Sequence, residues 1–380
     1  MAARRSRTRG SAVVGGVLGA LLLAGCSGAA SGTEDGEGET DAGTEDTADA
    51  GAEGGACAPE DVVLVGQVRN QTNPYEAAWL EGGDAFAESV GLEQQTLTYD
   101  GDSQQQQEQI RQVLAAGDMS CTVINALPNG DSDTTPIVAA ADEAGAWLVT
   151  QWNKPADLDP AEYDRWIAHL TYDGQESGYQ IAKAIFEEMG GSGGVIALQG
   201  ILDTAAAQDR FAGLQRALEE YPDIELLDEQ TAEFDRATAL EVTRTLLTQH
   251  GDAVGGVWAA NDDMALGALQ ALEAAGVDGV AVAGIDAVPE ALDAIADGTM
   301  TATVSSDGPW QGAIGLAMGY CAATGELDVA SVDADDRAFY AEQFVITADN
   351  VAEFSDPELD LEELACDSLF SRATGPIPGS

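Results

Sequence analysis

The sequence predicts an α/β protein made of two doubly wound lobes of parallel sheet. Three observations carry this. From residue 61 onward, short β-branched apolar runs alternate with segments of helical period, as parallel sheets covered on both faces require. The pattern restarts after residue 171, about half-way along. The chain has 380 residues, 45% of them hydrophobic, which suits two lobes better than one ten-stranded sheet.

The elements follow in order. Residues 61–68 read as a strand. Asn73-Pro74 starts the next helix, with Asn as cap and Pro at the first position, and 75–90 has helical spacing through Tyr75, Ala78, Trp79, Phe86 and Val90. Strand 94–99, helix 104–116, strand 121–125, helix 134–144, strand 146–152 and strand 167–171 complete the first half. The second half begins with helix 178–189 and a glycine turn at 190–194. It continues with strand 194–198, helix 204–221, strand 224–229, helix 237–250, strand 255–260 and helix 264–275. Strand 280–285, helix 289–298, strand 300–305, helix 311–324 and a last strand over 340–347 close it.

The N-terminus reads as an address. Arg4, Arg5, Arg7 and Arg9 precede an apolar stretch over 12–24, which is shorter than the ~20 residues of a membrane span. Leu23-Ala24-Gly25-Cys26 resembles the bacterial lipobox, which implies that Cys26 carries a lipid anchor. Residues 27–59 are expected to be a disordered acidic tether: nine acids and no base lie within 34–53.

Charge and composition exclude several functions. Acidic residues number 67 against 15 basic, a net charge of −52 that repels phosphate backbones. Two histidines, His169 and His250, cannot supply an H-E-x-x-H pair or a finger. No G-x-x-x-x-G-K-[ST] loop occurs. The G-x-S-x-G match at 190–194 precedes a strand, whereas a nucleophile elbow follows one. His169 is expected to be packed near the hinge and His250 to end a helix, so neither makes a nucleophile–base pair. No enzyme activity, cofactor or metal is expected.

After Cys26 come Cys57, Cys121, Cys321 and Cys366. In an exported protein four cysteines suggest two disulfides among three connectivities. Parallel neighbouring strands bring Cys57 and Cys121 together, favouring Cys57–Cys121 with Cys321–Cys366.

In sheets of this kind ligands bind at the carboxyl ends of strands. Those ends carry Asn70, Asn73 and Tyr75; Asn125; Trp152, Asn153 and Lys154; Phe234-Asp235-Arg236; Asn261-Asp262-Asp263; Asp286; and Ser305-Ser306-Asp307, with Arg210 on a following helix. An Arg fork, a carboxylate and several amides suit a ligand rich in hydroxyls, and aromatic faces pack the C–H side of a sugar ring.

These blocks resemble the type I periplasmic-binding-protein family, in its ribose/galactose-type branch of ABC-importer receptors. The resemblance runs over about 61–347. It rests on Gly194-Val-Ile-Ala-Leu-Gln-Gly200, Phe234-Asp235-Arg236, Ala260-Asn-Asp-Asp-Met-Ala-Leu-Gly-Ala-Leu269, Ala283-Gly-Ile-Asp286 and Asn73-Pro74-Tyr75. It implies sugar contacts at Asn73, Tyr75, Asn125, Arg210, Phe234, Asn261 and Asp286. Glu76, Trp152, Asn153 and Ser306 stand where the family pattern is departed from, so the pocket is partly rebuilt. The resemblance also implies three crossovers, near 171–173, 305–307 and 345–347. Lobe one is expected over 60–171 and 307–345, lobe two over 173–305 and 346–370, with a flexible tail at 371–380. The expected function is a monomeric, lipid-anchored, extracytoplasmic receptor. It captures a sugar or polyol, closes by hinge bending and delivers the ligand to an ABC permease. A sensor that reports to a signalling partner is the alternative.

Overall fold

A computed structural model describes residues 56–115, 119–355 and 359–378. Cys26 and the acidic stretch that follows it lie outside the described residues. Elements are numbered along the chain.

Lobe one holds a seven-stranded sheet. Its strands are β1 (Val63–Val68), β2 (Gln94–Thr98), β3 (Thr122–Ala126), β4 (Trp147–Gln151), β5 (Trp166–Thr171), β11 (Ala338–Ala341) and β13 (Ala373–Pro376), in the order β2-β1-β3-β4-β5-β11-β13. All neighbours are parallel except β13, which runs antiparallel to β11. Helices α1 (Pro74–Ser89), α2 (Ser103–Leu114), α3 (Asp131–Ala144) and α9 (Gly308–Ala323) cover it. β1 shows why its strand reads as a continuous apolar run. Leu64 and Val68 join the core beneath α1 and α9, while Val65 joins a second core with Ile110 and Ile137 of α2 and α3.

Lobe two holds a six-stranded sheet of β6 (Gly193–Gln199), β7 (Ile224–Thr231), β8 (Val254–Ala259), β9 (Ala281–Ala283), β10 (Ala302–Val304) and β12 (Val345–Thr347), ordered β7-β6-β8-β9-β10-β12. β12 is antiparallel to β10, and the other pairs are parallel. Helices α4 (Gly174–Glu188) and α5 (Ala205–Glu220) pack together, as do α6 (Arg236–His250) and α7 (Asp262–Ala275), with α8 (Pro289–Ala296) beyond. Trp79, Trp166, Trp258 and Trp310 are fully buried, each contributing about 3 kcal/mol or more by the cost of its removal.

Helices α1 and α9 meet with almost no side chain between them. A Cβ on Gly312 would lie 1.8 Å from the Trp79 carbonyl oxygen, so glycine is required there.

Both disulfides form, Cys57–Cys121 and Cys321–Cys366, each with a Cα separation of 5.7 Å. The first ties the chain ahead of β1 to the start of β3. Loops of 64 and 45 residues imply about 4 kcal/mol each from loop entropy.

Three boundaries differ from the expectation. The single strand expected over 340–347 is two strands, β11 in one sheet and β12 in the other. Gln343 lies at this crossing, bonded to Ser177 and to the Asp173 carbonyl. The expected tail over 371–380 supplies β13. Residues 359–370, expected in lobe two, pack on lobe one. The Cys366 disulfide, the Phe339–Phe370 ring contact and the 2.7 Å Arg372–Asp307 ion pair hold them there.

Candidate functional site

The carboxyl ends of both sheets face one cavity of about 130 Å³ between the lobes. On lobe one, β1 runs into Arg69 and Asn70. The Asn70 Oδ1 accepts from the Thr72 and Asn73 N–H groups, at 2.9 and 3.1 Å, and so turns the chain. Asn73 then caps α1 by accepting from Tyr75 N at 2.9 Å. This delivers Tyr75 and Glu76 in the first helical turn. Asn73 also reaches across the cleft, donating to the Phe234 carbonyl at 3.3 Å.

At the end of β4, Trp152 has φ +68°, a left-handed conformation that costs a non-glycine residue about 1–3 kcal/mol. Its indole donates to the Tyr75 hydroxyl at 2.9 Å, and that hydroxyl donates to Gln311. The Trp152 ring packs edge-on to Tyr75 and against Tyr172, with centroids 5.8 and 5.6 Å away. Asn153 donates to the Pro128 carbonyl at 2.8 Å.

Lobe two brings the charge. Arg210, on α5, donates to the Ala260 carbonyl at 2.6 Å and faces Asp286 at 3.7 Å. Its guanidinium lies over Trp152 at 4.8 Å, an interlobe cation–π contact, and 5.8 Å from the Phe234 ring. Its Nε has no protein partner among the described residues. Asp286 has φ +130°. Beneath it Asp262 accepts from the Thr303 hydroxyl at 2.8 Å and Val288 N at 3.0 Å, bracing the turn. Asn261 caps α7 through Met264 N at 3.0 Å. Glu233 and Phe234 have φ +58° and +59°. A Cβ on Gly200 would lie 2.0 Å from the Phe234 ring, so glycine makes room for that aromatic.

Burial dominates the electrostatics. It pushes the Asp286 carboxyl well above the usual carboxylate range, and Arg210 only partly opposes it. It pushes Glu76 up to about 7, against the backbone bond from Asn70 and the charge of Arg69. Asp262 is likewise raised to about 7, with the Thr303 hydroxyl opposing. Burial also lowers Arg210. These groups sit in a site where charge is expensive and a well-placed polar ligand is worth more than in water.

Asn73, Tyr75, Glu76, Trp152, Asn153, Arg210, Phe234, Asn261 and Asp286 all line the cavity. Asn125 and Ser306 do not. β3 continues through Asn125 to Ala126, so the residues at its carboxyl end are Leu127 and Pro128, which do line the cavity. The Asn125 amide is used in the core, donating to the Gly312 carbonyl at 2.9 Å and accepting from Gln151 at 3.0 Å. Ser306 is buried in a crossover, where its N–H donates to the Asp286 carbonyl at 3.3 Å. It acts on the cavity only through Asp286.

The cavity also takes Arg69, Tyr99 and Thr204, which the sequence reading passed over. Arg69 directly follows β1 and Tyr99 directly follows β2, so their positions were the signal. Thr204 caps α5. His169 is buried on β5, bonded to Thr150 at 2.9 Å and held neutral by burial. Among the described residues no group of three or more His, Cys, Asp or Glu is arranged to hold a metal, and no helix is long and apolar enough to cross a membrane.

Residues 67–327 match the periplasmic binding protein domain family. The chain belongs to that family. The xylitol-binding protein of Mycolicibacterium smegmatis is 28% identical over 273 residues, covering 72% of this chain and 76% of that protein. The ribose import binding protein of Escherichia coli is 32% identical over 252 residues, 66% of this chain and 80% of its own. The crystal structure of a twin-arginine translocation pathway signal protein from Burkholderia phytofirmans superposes with a TM-score of 0.80. It is 38% identical, and the match covers 83% of this chain and 98% of that one. The family is one of substrate-binding proteins, and two α/β lobes with mostly parallel sheets are its architecture.

Proposed function

We propose that the protein captures a sugar or polyol in the interlobe cleft and presents it to an ABC-type importer. The observation that carries this is the interlobe cavity itself. It combines a buried Arg210–Asp286 pair, amides from Asn73, Asn153 and Asn261, and the aromatic rings of Tyr75, Trp152 and Phe234. About 130 Å³ is small beside the ~300–1,000 Å³ of pockets that take drug-sized ligands, so a single ring or short polyol fits the account. Hydroxyls would bond Asp286, the free Arg210 Nε and the amides. Leaving any of them unpaired would disfavour the wrong epimer. Relatives that bind ribose and xylitol support the same class.

Delivery follows from the architecture. Asn73 to Phe234, Arg210 over Trp152, and Asp131 to Ala205 N at 3.2 Å all bridge the lobes. A ligand that contacts both lobes favours the closed form, which the permease would read. The N-terminal sequence supports export and a lipid anchor at Cys26, holding the receptor at the outer face of the cytoplasmic membrane. Metabolic labelling with a fatty-acid analogue, lost in Cys26→Ala, tests the anchor.

The ligand class is tested by a thermal-shift screen with pentoses, hexoses, pentitols and disaccharides, using amino acids as a control. A ligand at ~100 times its Kd stabilises by ~2.7 kcal/mol. A shift confined to one or a few sugars or polyols is expected. A response to amino acids alone would overturn the class.

A further inference from the structure

The carboxyls of the cavity are balanced unequally. Asp286 faces Arg210, and Asp263 bonds Arg236 at 2.7 Å. Glu233 and Asp235 are exposed at the rim, in water. Glu76 differs from all of these. It lies in the first turn of α1, lines the cavity, and its Oε2 accepts from Asn70 N at 2.7 Å. Among the described residues no cationic side chain forms an ion pair with it. Arg69 acts on it through space, but the guanidinium donates to the Asn129 carbonyl at 3.2 Å. The other groups facing it are Tyr99, whose hydroxyl donates to the Leu127 carbonyl at 2.9 Å, and the like-charged Asp286 across the cleft.

Resting on the receptor reading above, we propose that Glu76 selects a ligand bearing a protonated amine, so that the preferred class is an amino-substituted sugar or polyol. A hydroxyl would satisfy the geometry of the carboxylate but leave a half-buried charge that Arg69 offsets only in part. An ammonium supplies the missing charge together with three donors. The resident cations do this only in part, since Arg210 is held on Ala260 and Asp286 and Arg69 donates to Asn129 and acts on Glu76 through space alone. The remaining amides and aromatics serve hydroxyls and C–H faces, so the ligand keeps its polyol character. Burial holds Glu76 near 7. A cationic ligand binds the ionised form, so its affinity is highest between that value and the amine's own pKa and declines as pH falls through the Glu76 value.

The test pairs neutral compounds with their amines: xylitol, sorbitol, glucose and galactose against 1-amino-1-deoxyxylitol, 1-amino-1-deoxysorbitol, glucosamine and galactosamine. Binding is read by calorimetry on the full chain at pH 8 and pH 6. At least one amine is expected to bind about tenfold or more tightly than its parent at pH 8. That advantage should shrink about tenfold at pH 6, where most Glu76 is protonated. Glu76→Gln, which keeps the acceptor for Asn70, should remove the amine's advantage over its parent. The wild-type pH comparison stands even if the variant folds poorly. Neutral parents that bind as well as their amines would overturn the proposal and leave the receptor reading intact. An amine advantage unchanged in Glu76→Gln would overturn it as well. Silence from every compound would overturn the proposal, and the wider thermal-shift panel would then decide the receptor reading.

Discussion

Lobe one presents its side of the cleft through side chains bonded to one another, whereas lobe two presents charges on strained backbone. Trp152, Tyr75 and Gln311 form one hydrogen-bonded chain, and Gln151 extends it by donating to Asn125 and to the Gln311 carbonyl at 3.0 and 2.7 Å. These bonds are all made within lobe one, with Trp152 as its share of left-handed backbone. Across the cleft, Glu233, Phe234, Asp286 and Ala287 all have positive φ, and Arg210 keeps an unpartnered Nε. Strain of about 1–3 kcal/mol per residue persists only where surrounding structure over-determines it. Asp262 and Gly200 are the supports that do so here. The difference teaches where recognition energy lies. Lobe one is a bonded platform apart from Glu76 and the Asn153 Oδ1, and lobe two holds its polar groups on strained backbone.

This contrast can be broken by mutation. The largest effect is expected at Arg210→Met, which leaves Asp286 buried without its partner. Binding of the sugar found in the screen should fall about a hundredfold or more, by ~2–5 kcal/mol. Asn73→Ala, on the platform side, should cost about tenfold or less, near 1 kcal/mol. Equal losses would erase the asymmetry.

Next is the platform's own integrity. Gly312→Ala drives a methyl into the Trp79 carbonyl oxygen, so thermal or urea unfolding should show a loss of about 1–3 kcal/mol. An unchanged midpoint would mean that α1 and α9 can separate freely.

Smaller effects are expected from the rim. Asp131 accepts from Ala205 N at 3.2 Å, at the start of α5, so it bridges lobes without lining the cavity. Asp131→Ala should speed ligand release roughly fivefold, about 1 kcal/mol, without altering the ranking of ligands. Stopped-flow displacement measures this, and a changed ranking would place Asp131 in the site instead.

The smallest concerns pH. Glu76 and Asp262 titrate near 7 in the fold, above their ordinary 4.5 and 3.8. The native state therefore holds their protons more tightly than the unfolded chain. The stabilisation is full near pH 4 and is lost as pH rises through 7. The ligand-free protein should melt about 2 °C or more higher at pH 5 than at pH 8. A higher melting point at pH 8 would contradict the burial of these carboxyls.

Much of this was legible in the sequence because period and punctuation agree. Asn73-Pro74 marked a helix start that then placed Tyr75 and Glu76, and strand ends marked Trp152, Asn261 and Asp286. The errors came where long-range contacts decide. Residues 340–347 read as one strand, and only pairing to β5 on one side and β10 on the other divides it. Residues 373–376, Ala-Thr-Gly-Pro, carry turn residues, and their strand exists because Arg372 and Cys366 bring them to β11. Asn125 was misjudged by one residue of strand length, which is enough to exchange the core for the cleft. Arg69 and Tyr99 were missed although each directly follows a strand, because neither falls within a family block.

The most direct test of the central claim is a calorimetric titration of wild type and Asp286→Ala with the sugar or polyol that gives the largest thermal shift. The account predicts saturable one-to-one binding by wild type and none by the variant, with both unfolding at similar temperatures in the absence of ligand. Equal affinities in the two proteins would place the ligand outside the interlobe cleft and contradict the account.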